Sequence, residues 1–247
     1  MTRAGRKKSE GDVYHVIVRG VGQQILFEDD ADRSFFMKAL DAAFEKHGLE
    51  LFAWCLMSNH VHLLVHGPIE IVGKAMRECE SGYALYFNRR HERTGVLFQG
   101  RYDSVPIEGD QQLLSALRYV HMNPVKAGEP IDGRWSSYAE YFPGGRDGYA
   151  KTDFVLSILD GVEAFKELHD APGDYQPLGP RHHLTESEAL KRAQETLGDI
   201  GFHEVKSFDR ETRNALLLRL YEAGLSRRQI MRITGIGLGI VNRATRC

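Results

Sequence analysis

CLMSNHVHLLVHG, residues 55–67, is apolar on both sides of a short polar interruption, Ser58-Asn59-His60. Ser58 and Asn59 are turn formers, so the stretch predicts one strand from LELFAWCLM, a tight turn, and a second strand over HVHLLVH. On a strand, residues two apart share a face. His60 and His62 therefore point the same way, and His66 joins them if the strand stays regular to its end. Paired imidazoles are costly core fillers, because each ring nitrogen needs a partner. They are apt as two ligands of one metal ion or as an anchor for a phosphate, and their spacing alone does not choose between these roles.

Working outward, VYHVIVR at 13–19 alternates as a strand. Residues 29–47 place Phe35, Phe36, Leu40, Ala43 and Phe44 at helical spacing after an acidic first turn, and Gly48 stops them. Residues 69–88 read as a second helix, and GVLFQGRYDSVPI (95–107) as a bent strand or a pair of short ones. A third helix spans 110–127, with Pro124 ending or kinking it. Strand, helix, strand, strand, helix, strand, helix is the order of an α+β fold. It predicts a ferredoxin-like split βαβ antiparallel sheet with helices packed on one face.

A two-histidine metal site needs a further ligand. In SALRYVHMNPVKAG, Tyr119 and Asn123 are four apart and so neighbours on one helical surface. Asn123 can offer a carbonyl oxygen to a metal, with the Tyr119 phenol one turn earlier as a nucleophile toward a metal-bound phosphate. The competing reading packs Tyr119 in the core and leaves Asn123 to terminate the helix before Pro124.

YHVIVRG, MSNHVHLLVHG, LFQGRYDSVPI, YVHMNPVKAG and WSSY follow one another across residues 11–142. In order and rough spacing they resemble the single-tyrosine HUH transposases, most of all the REP-associated tyrosine transposases. HUH stands for His, hydrophobic, His: here His60-Val61-His62. The resemblance implies that His60, His62 and Asn123 hold a divalent metal, Mg²⁺ or Mn²⁺, and that Tyr119 is the nucleophile. It further implies cleavage of single-stranded DNA through a 5′-phosphotyrosine with a free 3′-OH. Tyr83, Tyr86 and Tyr102 lack the Asn-Pro context and read as core or surface residues. Arg19 and Arg101 are candidate DNA contacts, with Arg89 and Arg90 as weaker ones.

Net charge is −2, but basic residues collect at both ends of the chain. Arg3, Arg6, Lys7 and Lys8 precede any acid, and 223–247 holds five arginines without one. Such ends favour a polyanionic partner. LLLRLYEAGLSRRQIMRITGIGLGIVNRATR (216–246) is similar to the helix–turn–helix of DNA-binding regulators, with Ser226 capping one helix and Gly235 making the turn. Arg227, Arg228 and Arg243 would face duplex DNA. Gly237 and Gly239 depart from that pattern by weakening the start of the recognition helix, which leaves a plain helical bundle as the alternative.

The expected organisation is a basic tail (1–10), a catalytic domain (11–142), a helix and linker (143–183) and a helical DNA-binding domain (184–247). Within the third part, 152–170 reads as one helical stretch and 171–183 as linker. Three cysteines without ligand spacing favour a reducing cytoplasm. No run is long enough for a membrane span. The expected partner is single-stranded DNA with hairpin or repeat elements, bound by a monomer or homodimer. Two rival functions remain: a non-cleaving regulator derived from a transposase, and a zinc hydrolase using His60, His62 and His66.

Overall fold

Alternating side chains in three apolar segments build the sheet. The computed structural model describes residues 6–145, 148–171, 186–198 and 200–245. In chain order the first elements are β1 (Val13–Arg19), α1 (Asp30–His47), β2 (Glu50–Leu56), β3 (His60–His66), α2 (Ile69–Arg90), β4 (Asp103–Ile107) and α3 (Gly109–Lys126). The strand order is β2-β3-β1-β4, with every neighbouring pair antiparallel. This is the ferredoxin-like split βαβ arrangement.

Period-two alternation divides the strands between two cores. Tyr14, Val16 and Val18 of β1 and Val61, Leu63 and Val65 of β3 pack against α1 and α2. Asp29 starts α1 by accepting hydrogen bonds from the Ala31 and Asp32 N–H groups, and Gly48, at φ 65°, ends it. Tyr83 and Tyr102 are buried in this same core, and Tyr86 stacks on Phe35 at 3.8 Å. All three tyrosines are therefore committed to packing around α1 and α2.

The expectation of helices on one face holds for α1 and α2 and needs correction for α3. Leu113, Ala116, Leu117 and Val120 of α3 pack on the other side of the sheet, with Ala53, Cys55 and Leu64. The reason is that both faces of the central strands are apolar, so each needs a cover. Pro124 stands inside the last turn of α3, and the helix stops two residues later. Only β4 is strand within 95–107; before it, Phe98 bridges Gly20.

The stretch at 152–170 is two helices, α4 (Thr152–Leu159) and α5 (Val162–Asp170). Asp160 at φ 63° and Gly161 at φ 110° break it, and two successive residues with positive φ cannot continue a right-handed helix. Val155 and Phe165 join the α3 core. There His121 of α3 lies 3.0 Å from His169 of α5, ring nitrogen to ring nitrogen, and 2.8 Å from Ser137 Oγ.

Burial holds the His121 imidazole well below its usual range and lowers His169 to about 4. Both are neutral when folded, whereas an unfolded histidine protonates near pH ~6.5. Between those limits the unfolded chain binds more protons, so stability falls as pH falls. We expect the melting temperature to drop between pH 6.5 and 5, with the two buried histidines outweighing Glu80, whose carboxyl burial raises to about 7 and which acts in the opposite direction over the same window. Thermal melts across that window check this, and a flat profile contradicts it.

The chain divides into two compact units, Met1–Gly179 and Pro180–Cys247. The second contains α6 (Glu186–Leu197), α7 (Arg210–Glu222), α8 (Arg227–Thr234) and α9 (Leu238–Ala244). Leu217, Leu220, Leu225, Ile230 and Val241 centre its core. Ser226 caps α8 in a reciprocal capping box with Gln229, and Gly235, at φ 68°, closes it. The expected linker from 172 onward lies outside the described residues, as do Arg3, Arg246 and Cys247. Cys55 and Cys79 are buried free thiols, and no helix among the described residues is long and apolar enough to cross a membrane.

Candidate active site

The register of β1 against β3 sets Arg19 opposite His60, Ile17 opposite His62 and His15 opposite Leu64. Alternation turns His15 and His62 toward α3, and both are buried. His15 Nε2 lies 3.0 Å from His62 Nδ1, and the two rings stack at 5.1 Å. His60 and His62 have ring centroids 4.9 Å apart and stand perpendicular. Asn59 Oδ1, in the turn, accepts from His60 Nδ1 at 2.7 Å.

From α3, Tyr119 places its ring edge-on to both His62 (5.4 Å) and His15 (5.5 Å). Asn123 Nδ2 donates to the Tyr119 carbonyl one turn back at 2.7 Å, so its amide is oriented within a buried site. Lys126 sets its ammonium 4.9 Å from the centroid of the Tyr119 ring. Burial raises the Tyr119 phenol above its ordinary range, while the Arg19 guanidinium and the Asn123 side chain pull it down. Burial also pushes the Cys55 thiol strongly up, which removes it as a rival nucleophile.

The donor set suits a metal. His60 donates its Nδ1–H to Asn59 Oδ1, which leaves Nε2 as its lone-pair nitrogen, the form that coordinates ions. The hydrogen bond from Asn123 Nδ2 leaves its Oδ1 as the amide's acceptor. Among the described residues, no group of three or more His, Cys, Asp or Glu could hold a metal ion. An ion held by two imidazoles and an amide oxygen would keep coordination positions open for water and phosphate, as catalytic ions require.

His66 does not join this group. It pairs with Glu50 at 2.7 Å and stacks on Phe52. It stands opposite Val13, six residues along β3 from His60, or roughly 20 Å at strand rise. That distance removes the three-histidine zinc site. Arg101 is exposed in a loop tied to the end of β1 through Gln99 N–H and Arg19 O at 2.8 Å. Arg90 is bound to Asp29 and Asp32, joining α2 to the start of α1. In the second unit, Arg227 donates to Thr245 Oγ1 (2.8 Å) and O (2.9 Å), while Arg228 and Arg243 are exposed.

Two site residues escaped the sequence reading. His15 lies in the quoted VYHVIVR strand, two and four residues before Ile17 and Arg19 on the same face, so its parity was available. Lys126 lies in the quoted NPVKAG motif and reaches Tyr119 only because α3 continues past Pro124.

Residues 10–123 match the family described as "Transposase IS200 like". The chain carries an IS200-like transposase domain. The matched span contains His15, His60, His62, Tyr119 and Asn123, and ends at the last of them. A solved REP-associated tyrosine transposase bound to a REP hairpin aligns with 60% of this chain and 92% of its own. The identity is 15% and the TM-score 0.49. No match is found among curated proteins.

Proposed function

We propose that the transposase domain is a metal-dependent single-stranded DNA endonuclease and strand transferase. The observation that supports this most is the meeting of the His60–His62 pair on β3 with Tyr119 on α3, across one face of the sheet. His60, His62 and Asn123 would hold Mg²⁺ or Mn²⁺. When bound, the ion neutralises charge on the nonbridging oxygens of the scissile phosphate.

Tyr119 Oη then attacks phosphorus, the P–O3′ bond breaks with its electron pair going to O3′, and water protonates that oxygen so that the departing strand carries a free 3′-OH. The phenolic proton passes to water, helped by the Arg19 charge and the Asn123 side chain. Tyr119 keeps the 5′ phosphate as a phosphodiester, so a later 3′-OH can displace it without nucleotide hydrolysis. The preferred substrate is single-stranded DNA carrying a hairpin or repeat, with Arg19 and Arg101 along its backbone. The test is a denaturation-resistant adduct on end-labelled hairpin DNA, formed with Mg²⁺ or Mn²⁺ and absent in chelator. Tight DNA binding without any adduct would favour the non-cleaving regulator instead.

The second unit supports a duplex contact of helix–turn–helix type, with α8, residues 235–237 and α9 as its parts. The exposed Arg228 and Arg243 are its candidate phosphate or base contacts, and Arg227 holds the end of α9 through Thr245. Replacing Arg228 and Arg243 together with glutamate should weaken duplex binding and reduce the slope of log K against log salt by about 2. A salt titration by fluorescence anisotropy measures both, and an unchanged slope would remove these arginines from the interface.

A further inference from the structure

The hydrogen bond inside the sheet assigns a role to a residue that the proposed mechanism leaves unused. His15 is fully buried on β1, and its Nε2 lies 3.0 Å from His62 Nδ1. A buried imidazole pair of this kind has two possible polarities. If His15 Nε2–H donates, His62 Nδ1 is the acceptor, its proton sits on Nε2, and that nitrogen cannot bind a metal. If His62 Nδ1–H donates, His62 presents a lone pair on Nε2.

We infer that His15 is a positioning residue that accepts the His62 Nδ1 proton, fixing both the tautomer and the ring orientation of a metal ligand. One feature supports that polarity, and two more hold the pair in place. His60, the other ligand of the pair, has its Nδ1 held in the same way by Asn59 Oδ1, which acts only as an acceptor. The Tyr119 ring packs edge-on against both His15 and His62, which limits rotation of either imidazole. The β1–β3 ladder pins the two backbones on either side of the pair. His15 therefore does for His62, from the neighbouring strand, what Asn59 does for His60 from the turn. An outer-shell acceptor of this type strengthens its ligand and removes the cost of selecting a tautomer when the ion binds.

The functional weight of this inference rests on the metal reading above, but the tautomer can be tested without metal. In uniformly ¹⁵N-labelled, metal-free full-length protein, long-range ¹H–¹⁵N histidine spectra should show His62 protonated on Nδ1. Protonation on Nε2 would overturn the inference. Mn²⁺ titration followed by electron paramagnetic resonance gives the second measurement. His15→Phe, which keeps a ring but has no acceptor, should bind Mn²⁺ about 10- to 100-fold more weakly. His15→Gln, whose Oε1 can take the place of the histidine Nε2, should recover most of that loss.

Wild-type Mn²⁺ affinity in folded His15→Phe also overturns the role. If His15→Phe does not fold, His15→Gln and the wild-type spectrum still decide it. His60→Ala separates the two levels: Mn²⁺ binding that survives this change refutes the metal reading, while the His62 tautomer continues to judge His15.

Discussion

Tyr119→Phe should reduce covalent DNA capture by on the order of 10³-fold or more, while noncovalent binding of the same strand changes little. Phenylalanine keeps the ring that packs edge-on against His15 and His62 and removes only Oη. No cavity opens, so the fold and the imidazole cluster should survive. Loss of adduct then reports chemistry and not collapse. The measurement is denaturing electrophoresis of end-labelled hairpin DNA with Mn²⁺, beside a binding isotherm for each protein. Undiminished adduct in the variant would move the nucleophile elsewhere, and among the described residues no other tyrosine is placed against His15 and His62 in this way.

His60→Ala should lower metal-supported cleavage by roughly 10²- to 10³-fold, since charge neutralisation by a bound ion contributes several kcal/mol at the transition state. His62→Ala should match that loss but also destabilise the fold. His60 is half-buried and hydrogen-bonded to Asn59 in a turn, so its removal exposes little. His62 is buried, and its removal strands His15 Nε2 without this partner, at a cost of about 1–3 kcal/mol. Cleavage assays across an Mn²⁺ series, paired with denaturant melts, separate the two. Equal stability of both variants would contradict the buried His15–His62 bond. Full activity of His60→Ala in chelator would contradict the metal.

Local sequence determined much of this molecule because its signals need no distant partner. Alternation in VYHVIVR and HVHLLVH marked two central strands and set His60 and His62 on one face. Asp29 and Gly48 marked the ends of α1, and Ser226 and Gly235 those of α8, through hydrogen bonds and backbone conformations within a few residues. The Tyr119–Asn123 pairing also followed from one helical turn.

Tertiary structure decided what depends on register and on covering both faces of a sheet. Whether 152–170 was one helix or two turned on the backbone of Asp160 and Gly161, since aspartate only occasionally adopts a left-handed conformation. The side of the sheet taken by α3 depended on which face α1 and α2 left open. His66 shares the parity of His60 and His62, yet strand rise carries it to the far end of β3, beside Glu50. His15 reaches His62 only because β1 pairs with β3 in one particular register. A shift of one residue would turn His15 to the other face. Alternation says which residues can share a site; only strand pairing says which of them meet.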